Sequence, residues 1–244
     1  MIDSVVGPAP WDMMAVAMAR LLKSGETVFH GVASPLPMVA TLLAKHLHAP
    51  DLTYLNITGA VDSEPQRLPV STVDPALLHG TRALVTLADL FDLSARGKLD
   101  VAFLSGVQID AEGRINLSAI GPYDHPAVRL PGGAGSAMLM PTARRVILWR
   151  TKHDRRTFVE RLDFITAAGN VDRVVTPLGI FARRGSRLEV ESVHPGVTPD
   201  AFRDATGFAV AVGSDAPVTL PPTVEELTVL RAIDPDGVVR SEFA

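Results

Sequence analysis

The chain contains no cysteine. Disulfides, thiolate metal sites and a cysteine nucleophile are thereby excluded, and a reducing compartment is the natural expectation. Nor does one charge dominate: 23 Lys and Arg stand against 27 Asp and Glu. The densest basic stretch, RRVILWRTKHDRR, interleaves its cations with apolar and acidic residues, so no nucleic-acid footprint is expected. Long apolar runs are missing as well. The first candidate, MMAVAMARLL, is broken by Arg20 and far too short to span a bilayer. The amino-terminal MIDSVVGPAPWD has neither the basic nor the apolar region of a secretory signal. These absences lead to the expectation of a soluble, cytoplasmic protein with neither nucleic acid nor membrane as partner. The common catalytic signatures are absent too: no phosphate-binding P-loop, no HExxH, no GxSxG elbow and no GxGxxG behind a strand.

What is present is enough apolar sequence for a real core, 47% of 244 residues, organised as alternating helix and strand signals. WDMMAVAMARLLKSG has helical apolar spacing and stops at Ser24-Gly25. SPLPMVATLLAKHLHAP places Ser34 as N-cap and Pro35 at the first helical position. The flanking ETVFHGVA and LTYLNI read as strands, and strand-helix-strand favours parallel pairing with a right-handed crossover. Further on, LADLFDLSARG reads as helix, and LDVAFLSGVQID as a strand that turns at DAEG into RINLSAIG. RRVILW and DRVVTPLGIFAR are strands on either side of a helix-like RRTFVERLDFIT. The end runs strand RLEVESV, helix PDAFRDATG, strand FAVAV and helix TVEELTVLRAI. With no repeat, low-complexity tract or flexible linker, the expected fold is α/β over residues 1–244, a single domain with a mostly parallel sheet flanked by helices.

Several stretches carry chemistry of their own. PGGAGSA, Pro131 to Ala137, is a glycine-rich turn leading toward a helix; the missing side chains let the N–H groups of Gly133 to Ser136 approach an oxygen, while the competing account is a tight turn needing positive φ at Gly132, Gly133 or Gly135. GVASP ends a strand and begins a helix, so its backbone faces the carboxyl edge of the sheet, where α/β proteins bind ligands. There Ser34 is either a substrate contact or a helix cap. Asn116 and Ser118 of RINLS share one side of a strand by alternation. Among the histidines, His30 reads as a satisfied core residue, His46 and His48 as solvated or dipole-complementing residues at a helix end, His79 and His125 as loop residues without a partner in sequence, and His153 and His194 as architectural; no spacing suggests a metal site.

Four segments taken together, GVASPLPMVATLLAKHLHAPDLTYL, IDAEGRINLSAIG, RLPGGAGSAMLMPTARRVILW and RTFVERLDFIT with DRVVTPLGIF and VHPGVTPDAFRDATGF, resemble in order and spacing the β subunit of the glutaconate-type class I CoA-transferases. The resemblance extends over about the whole chain. It implies the CoA-transferase fold, an acyl-CoA thioester as substrate, CoA only as part of that substrate with no tightly bound cofactor, and an α subunit of the same family in an αβ or α2β2 complex. It also implies that Gly132, Gly133, Ala134, Gly135 and Ser136 lie over the active site with Ser34, and that Asn116 lies near it. Ala134 and Ser136 stand where the family often has glycine.

In that family the strand ends in a Glu-x-Gly turn whose carboxylate attacks the thioester and becomes a glutamyl-CoA intermediate. Aligned on Gly59, the glutamate position holds Ile57, preceded by Asn56. Asp62 and Glu64 lie outside the motif. The resemblance then points to branches that have left transfer chemistry: a decarboxylase acting on a methylglutaconyl-CoA, which uses a cysteine near this turn, and a hydrolase opening a CoA-linked steroid-derived ring, whose acidic residue comes from the α subunit. The expectation is an acyl-CoA-processing β subunit that cleaves a C–C bond. The alternatives are a true CoA-transferase with a carboxylate from Glu64 or the partner, and a non-catalytic CoA-binding or scaffolding subunit.

Overall fold

The computed structural model describes residues 8–243; the signal-peptide reading of residues 1–7 lies outside them. The first half runs α1 (Pro10–Arg20), β1 (Thr27–His30), α2 (Pro35–Leu47), β2 (Thr53–Asn56), β3 (Ala60–Val61), β4 (Ala83–Leu84), α3 (Leu87–Ala95) and β5 (Val101–Leu104). Two small hairpins follow, β6 (Gln108–Ile109) with β7 (Ile115–Asn116) and β8 (Ala119–Ile120) with β9 (Val128–Arg129). The chain continues through α4 (Ser136–Thr142), β10 (Arg145–Trp149), β11 (Val171–Val175), β12 (Gly179–Arg184), β13 (Arg187–Val193), α5 (Pro199–Ala205) and α6 (Val224–Ile233), ending in a 3-10 segment at Val238–Phe243.

Nine strands form one sheet in the order β13-β12-β11-β10-β5-β1-β2-β3-β4. The five central ones, from β11 to β2, are all parallel, and each flank turns antiparallel. The expected mostly parallel α/β architecture is thus present. Parallel strands covered on both faces read as near-continuous apolar runs, as VAFL and RVILW do. Alternation divides their side chains between two cores. On one face α1, α2, α6 and the 3-10 segment cover Val28, Tyr54, Phe103, Ile147 and Trp149. On the other, Leu90 of α3, Leu139 and Met140 of α4, and Phe158 and Phe202 cover Phe29, Leu55, Ala102, Leu104 and Leu148. Each fully buried side chain of this size contributes about 1.5–3 kcal/mol.

Four sequence expectations are corrected here. RRTFVERLDFIT is not a helix: its backbone is spent on strand-like exchanges, with Ile109 N–H donating to Thr157 C=O and Val159 N–H to Ile109 C=O. Those bonds bury Phe158 in an aromatic cluster with Phe181 and Phe208, which helical winding of this stretch would forgo. FAVAV forms no strand. DRVVTPLGIFAR is two antiparallel strands rather than one. Asn116 and Ser118 do not alternate along a strand, because β7 ends at Asn116, whose side chain bends the chain by accepting from Ser118 N–H at 2.9 Å.

Candidate active site at the carboxyl edge

Parallel strands send all their carboxyl ends to one edge. β1 leaves through Gly31–Ser34 into α2, and β2 leaves through Ile57–Gly59. α4 ends immediately before β10, so it runs back along the sheet and its preceding glycine loop lies at the same edge. Three of the predicted elements therefore converge, as the crossover geometry requires.

The β2 turn is fixed from both sides. Gly59 N–H donates to Asn56 C=O at 3.0 Å, and the Asn56 carboxamide oxygen accepts from Thr58 N–H at 3.0 Å and from the Thr58 hydroxyl at 2.5 Å. Asn56 is buried and reaches Ser63 through Nδ2. Gly59 holds φ +89°, and a Cβ there would lie 2.3 Å from the Val85 carbonyl oxygen. Only glycine fits so close an approach of two backbones. Ile57 is partly buried and packs against the second core. The turn therefore presents an apolar side chain, and the Asp62 carboxylate is held elsewhere. Asp62 pairs with Lys45 at 2.8 Å and accepts from Tyr54 N–H at 3.0 Å, back toward the start of β2. Glu64 is pinned through its N–H and its C=O to His79, at 2.9 Å in both cases.

The glycine loop is tied to the same construction through α3. Val85, bonded to Gly59, leads into α3, which opens with a Thr86–Asp89 capping box. Its Phe91 packs so close to Gly135 that a Cβ there would be 3.1 Å from the ring. Within the loop, Gly132 takes φ +92° and Ala134 φ +43°. Gly132 N–H donates to Leu117 C=O at 2.8 Å, and Gly133 lies over Thr166, where a Cβ would be 2.7 Å from its methyl group. Ser136 N–H is consumed by Gly133 C=O at 2.7 Å, which narrows the expected donor row. The N–H groups of Gly133, Ala134 and Gly135 have no protein acceptor among the described residues. A non-glycine residue at positive φ costs about 1–2 kcal/mol, so Ala134 holds this shape against its own preference.

Ser34 and Asn116 are placed differently. Ser34 occupies the N-cap position of α2 without making a capping bond; the cap is supplied by Glu242, which accepts from Leu36 N–H at 2.6 Å. The buried Ser34 hydroxyl donates instead to Gly31 C=O at 2.5 Å. It can then only accept from His30 Nδ1 at 2.8 Å, which leaves Nε2 to accept from the Tyr54 hydroxyl at 2.7 Å. This one-directional chain fixes a neutral imidazole. Burial lowers the His30 pKa to about 4, against an opposing backbone contact with Gly31, and raises that of Tyr54. The chain braces the β1 loop, where Ala33 holds φ +49°. Asn116 is fully buried, its NH2 donating to Gln108 Oε1 and Ala119 C=O, both at 2.7 Å. It shapes the hairpins below the glycine loop and points into no open space.

The sequence reading missed Val85, Phe91 and Thr166, which seat the turn and the loop. Only the Thr86-x-x-Asp89 cap was a local signal for any of them. Two shallow clefts, of about 260 and 270 Å3, lie beside Arg187–Val190 and Asp110–Arg114; no predicted site residue lines either. Among the described residues no group of His, Asp and Glu is placed to hold a metal, and no helix is long and apolar enough to cross a membrane.

A sheet whose carboxyl edge gathers a glycine loop and a rigid strand-end turn belongs to the α/β proteins that bind their ligands at that edge. The chain belongs to the Coenzyme A transferase family, whose pattern matches residues 11–204. It is 34% identical over 242 residues to a subunit of the 3-oxoadipate CoA-transferase of Pseudomonas knackmussii, covering 91% of this chain and 92% of that one. It is 29% identical over 242 residues to the IpdB component of the cholesterol ring-cleaving hydrolase of Rhodococcus jostii, covering 90% and 89%. Among solved structures, the decarboxylase AibA/AibB superposes with a TM-score of 0.91 at 34% identity, covering 97% of this chain and 99% of that one.

Proposed function

We propose that this chain is the β subunit of a heteromeric enzyme that binds an acyl-CoA thioester and cleaves a C–C bond of its acyl group, by decarboxylation or by hydrolysis. The observation that carries the reading is Ile57: the turn at the end of β2 keeps its glycine and its Asn56 brace but offers an alkyl side chain. A ping-pong transfer needs a carboxylate that becomes a thioester. The Asp62 carboxylate is tied to Lys45, and Glu64 lies beyond the turn, its backbone bonded to His79.

In this reading Gly132 to Ser136 form the thioester-binding loop, and the free N–H groups of Gly133, Ala134 and Gly135 donate to the thioester oxygen. In a decarboxylation, the electrons of the breaking C–C bond pass toward that carbonyl as carbon dioxide leaves. Donors preorganised at the oxygen stabilise the enolate that results. Asn56 and Gly59 position the turn, Ile57 forms an apolar wall, and Ser34 and Asn116 act as positioning residues through the β1 loop and the hairpins. An α subunit of the same family completes the site in an αβ or α2β2 complex, as fits relatives that are themselves single components of two-component enzymes. The substrate supplies the only coenzyme A.

Transfer of CoA between acids is the second reading, favoured by the 34% identity to a transferase component, with the carboxylate then coming from the partner. Co-purified complex incubated with candidate acyl-CoA thioesters separates the two. An acyl-CoA shortened by carbon dioxide, or opened by water, supports cleavage; CoA appearing on an added second acid, with the first acyl group released intact, supports transfer.

A further inference from the structure

The β8–β9 hairpin ends in an exposed aromatic and cationic stack with no role in the carboxyl-edge turn or the glycine loop. Tyr123, half exposed at the tip, lies on Phe164 with ring centroids 4.6 Å apart and planes 24° from parallel. The Arg129 guanidinium sits over the Tyr123 ring, 4.8 Å from its centroid, and donates to Tyr123 C=O at 3.1 Å. Arg129 has no carboxylate partner among the described residues, although Asp124 is next to Tyr123 in sequence. An arginine carries five N–H donors, and one of these is in use. Holding a long cation on an exposed ring costs side-chain freedom, and what it preserves is a rigid platform bearing unspent donors.

The platform is built as one piece with the glycine loop. Arg129 is followed two residues later by Pro131. Leu130 N–H and Gly132 N–H bind Ser118 and Leu117 at 3.0 and 2.8 Å. Thr166, two residues past Phe164, contacts Gly133, donates to or accepts from Ser118 at 2.7 Å and accepts from Leu117 N–H at 2.8 Å. The tip is braced again by Gly121 N–H on Asp163 at 3.1 Å.

We propose that Tyr123, Arg129 and Phe164 are the seat for the nucleotide end of coenzyme A, the adenine stacking on the platform and the phosphates taking the free Arg129 donors. This rests on the acyl-CoA reading above and adds which end of the coenzyme this chain holds. Purine rings stack on aromatic and guanidinium faces, and guanidinium pairs with phosphate in a forked geometry.

The test is calorimetric binding of CoA, pantetheine and adenosine 3′,5′-bisphosphate to the intact two-subunit complex. Tyr123→Ala and Arg129→Ala are expected to weaken CoA and adenosine 3′,5′-bisphosphate by about ten-fold or more, the usual effect of removing a stacked base contact. Pantetheine binding stays at the wild-type value, and Tyr123→Phe retains CoA binding. Equal losses for CoA and pantetheine, no loss for either, or dissociation of the complex on size exclusion would overturn the assignment. A wild-type complex that binds none of the three overturns the acyl-CoA reading along with it, whereas tight CoA binding indifferent to both variants overturns the nucleotide seat alone.

Discussion

Replacing Gly59 by alanine probes the turn on which the functional reading depends. Two costs add at this position. The first is the positive φ of +89°, about 1 kcal/mol for alanine relative to glycine. The second is overlap: the new Cβ would be 2.3 Å from the Val85 carbonyl oxygen. Relieving it means moving backbone by roughly an ångström, which breaks the Val85 N–H bond to Gly59 C=O, now 2.9 Å, at about 1 kcal/mol net. The sum is roughly 2–4 kcal/mol once local repacking is included. Gly25→Ala is the internal control. Gly25 has a similar φ of +79° but nothing within 4 Å of a built Cβ, so it should cost only about 1 kcal/mol. Urea unfolding of both variants gives the difference directly. Equal destabilisation would refute the claim that contact between the β2 turn and Val85 sets this backbone.

Ile57→Glu places a carboxylate against the apolar second core; turnover by the complex is expected to fall by at least about ten-fold, and retained activity would mean that this wall does not face the reaction. Gly135→Pro removes one of the three free loop donors without losing an internal hydrogen bond, so kcat should drop about 10²–10³-fold, well beyond the change in the urea midpoint that the tight contact with Phe91 brings; parallel losses would make the loop a structural turn only. Burial, opposed by Leu36 N–H and by the Arg150 charge, raises the Glu242 pKa to about 8. A folded pKa above the unfolded value means that this group's contribution is complete below pH 4.5 and is lost as pH rises through about 8. Glu242→Gln should therefore flatten the decline in stability between pH 5 and pH 9 by several kcal/mol, about 1.4 kcal/mol for each pH unit between the unfolded and folded pKa values, read from urea midpoints across that range.

The parallel centre of the sheet was legible because TVFH, VAFL and RVILW are short, largely apolar runs among helical stretches, two of which begin at a proline. The stretch from Thr151 to Asn170 was not. Its apolar spacing at Phe158, Leu162 and Ile165 mimics a helix, and only the long-range bonds to Ile109 and Ile115 reveal a backbone already committed. The glycine loop and the Gly59 turn could be read because glycine at a strand end has a specific geometric meaning. Ser34 and Asn116 could not, since whether a buried hydroxyl or carboxamide faces a ligand or its own chain depends on partners as remote as Glu242 and Gln108. The two strained alanines, Ala33 and Ala134, give no sequence signal at all, because nothing about alanine suggests positive φ.

The most direct test of the central claim, that this chain works without a nucleophilic carboxylate at the β2 turn, is to trap the complex during turnover. The two-subunit enzyme is incubated with an acyl-CoA it consumes, treated with borohydride to reduce any glutamyl-CoA thioester, digested and mapped by mass spectrometry. The account predicts acyl-CoA consumption with no reduced carboxylate on any peptide of this chain, including those carrying Ile57, Asp62 and Glu64. A reduced residue at Glu64, or at any other carboxylate of this chain, would contradict it and restore covalent CoA transfer as the reaction.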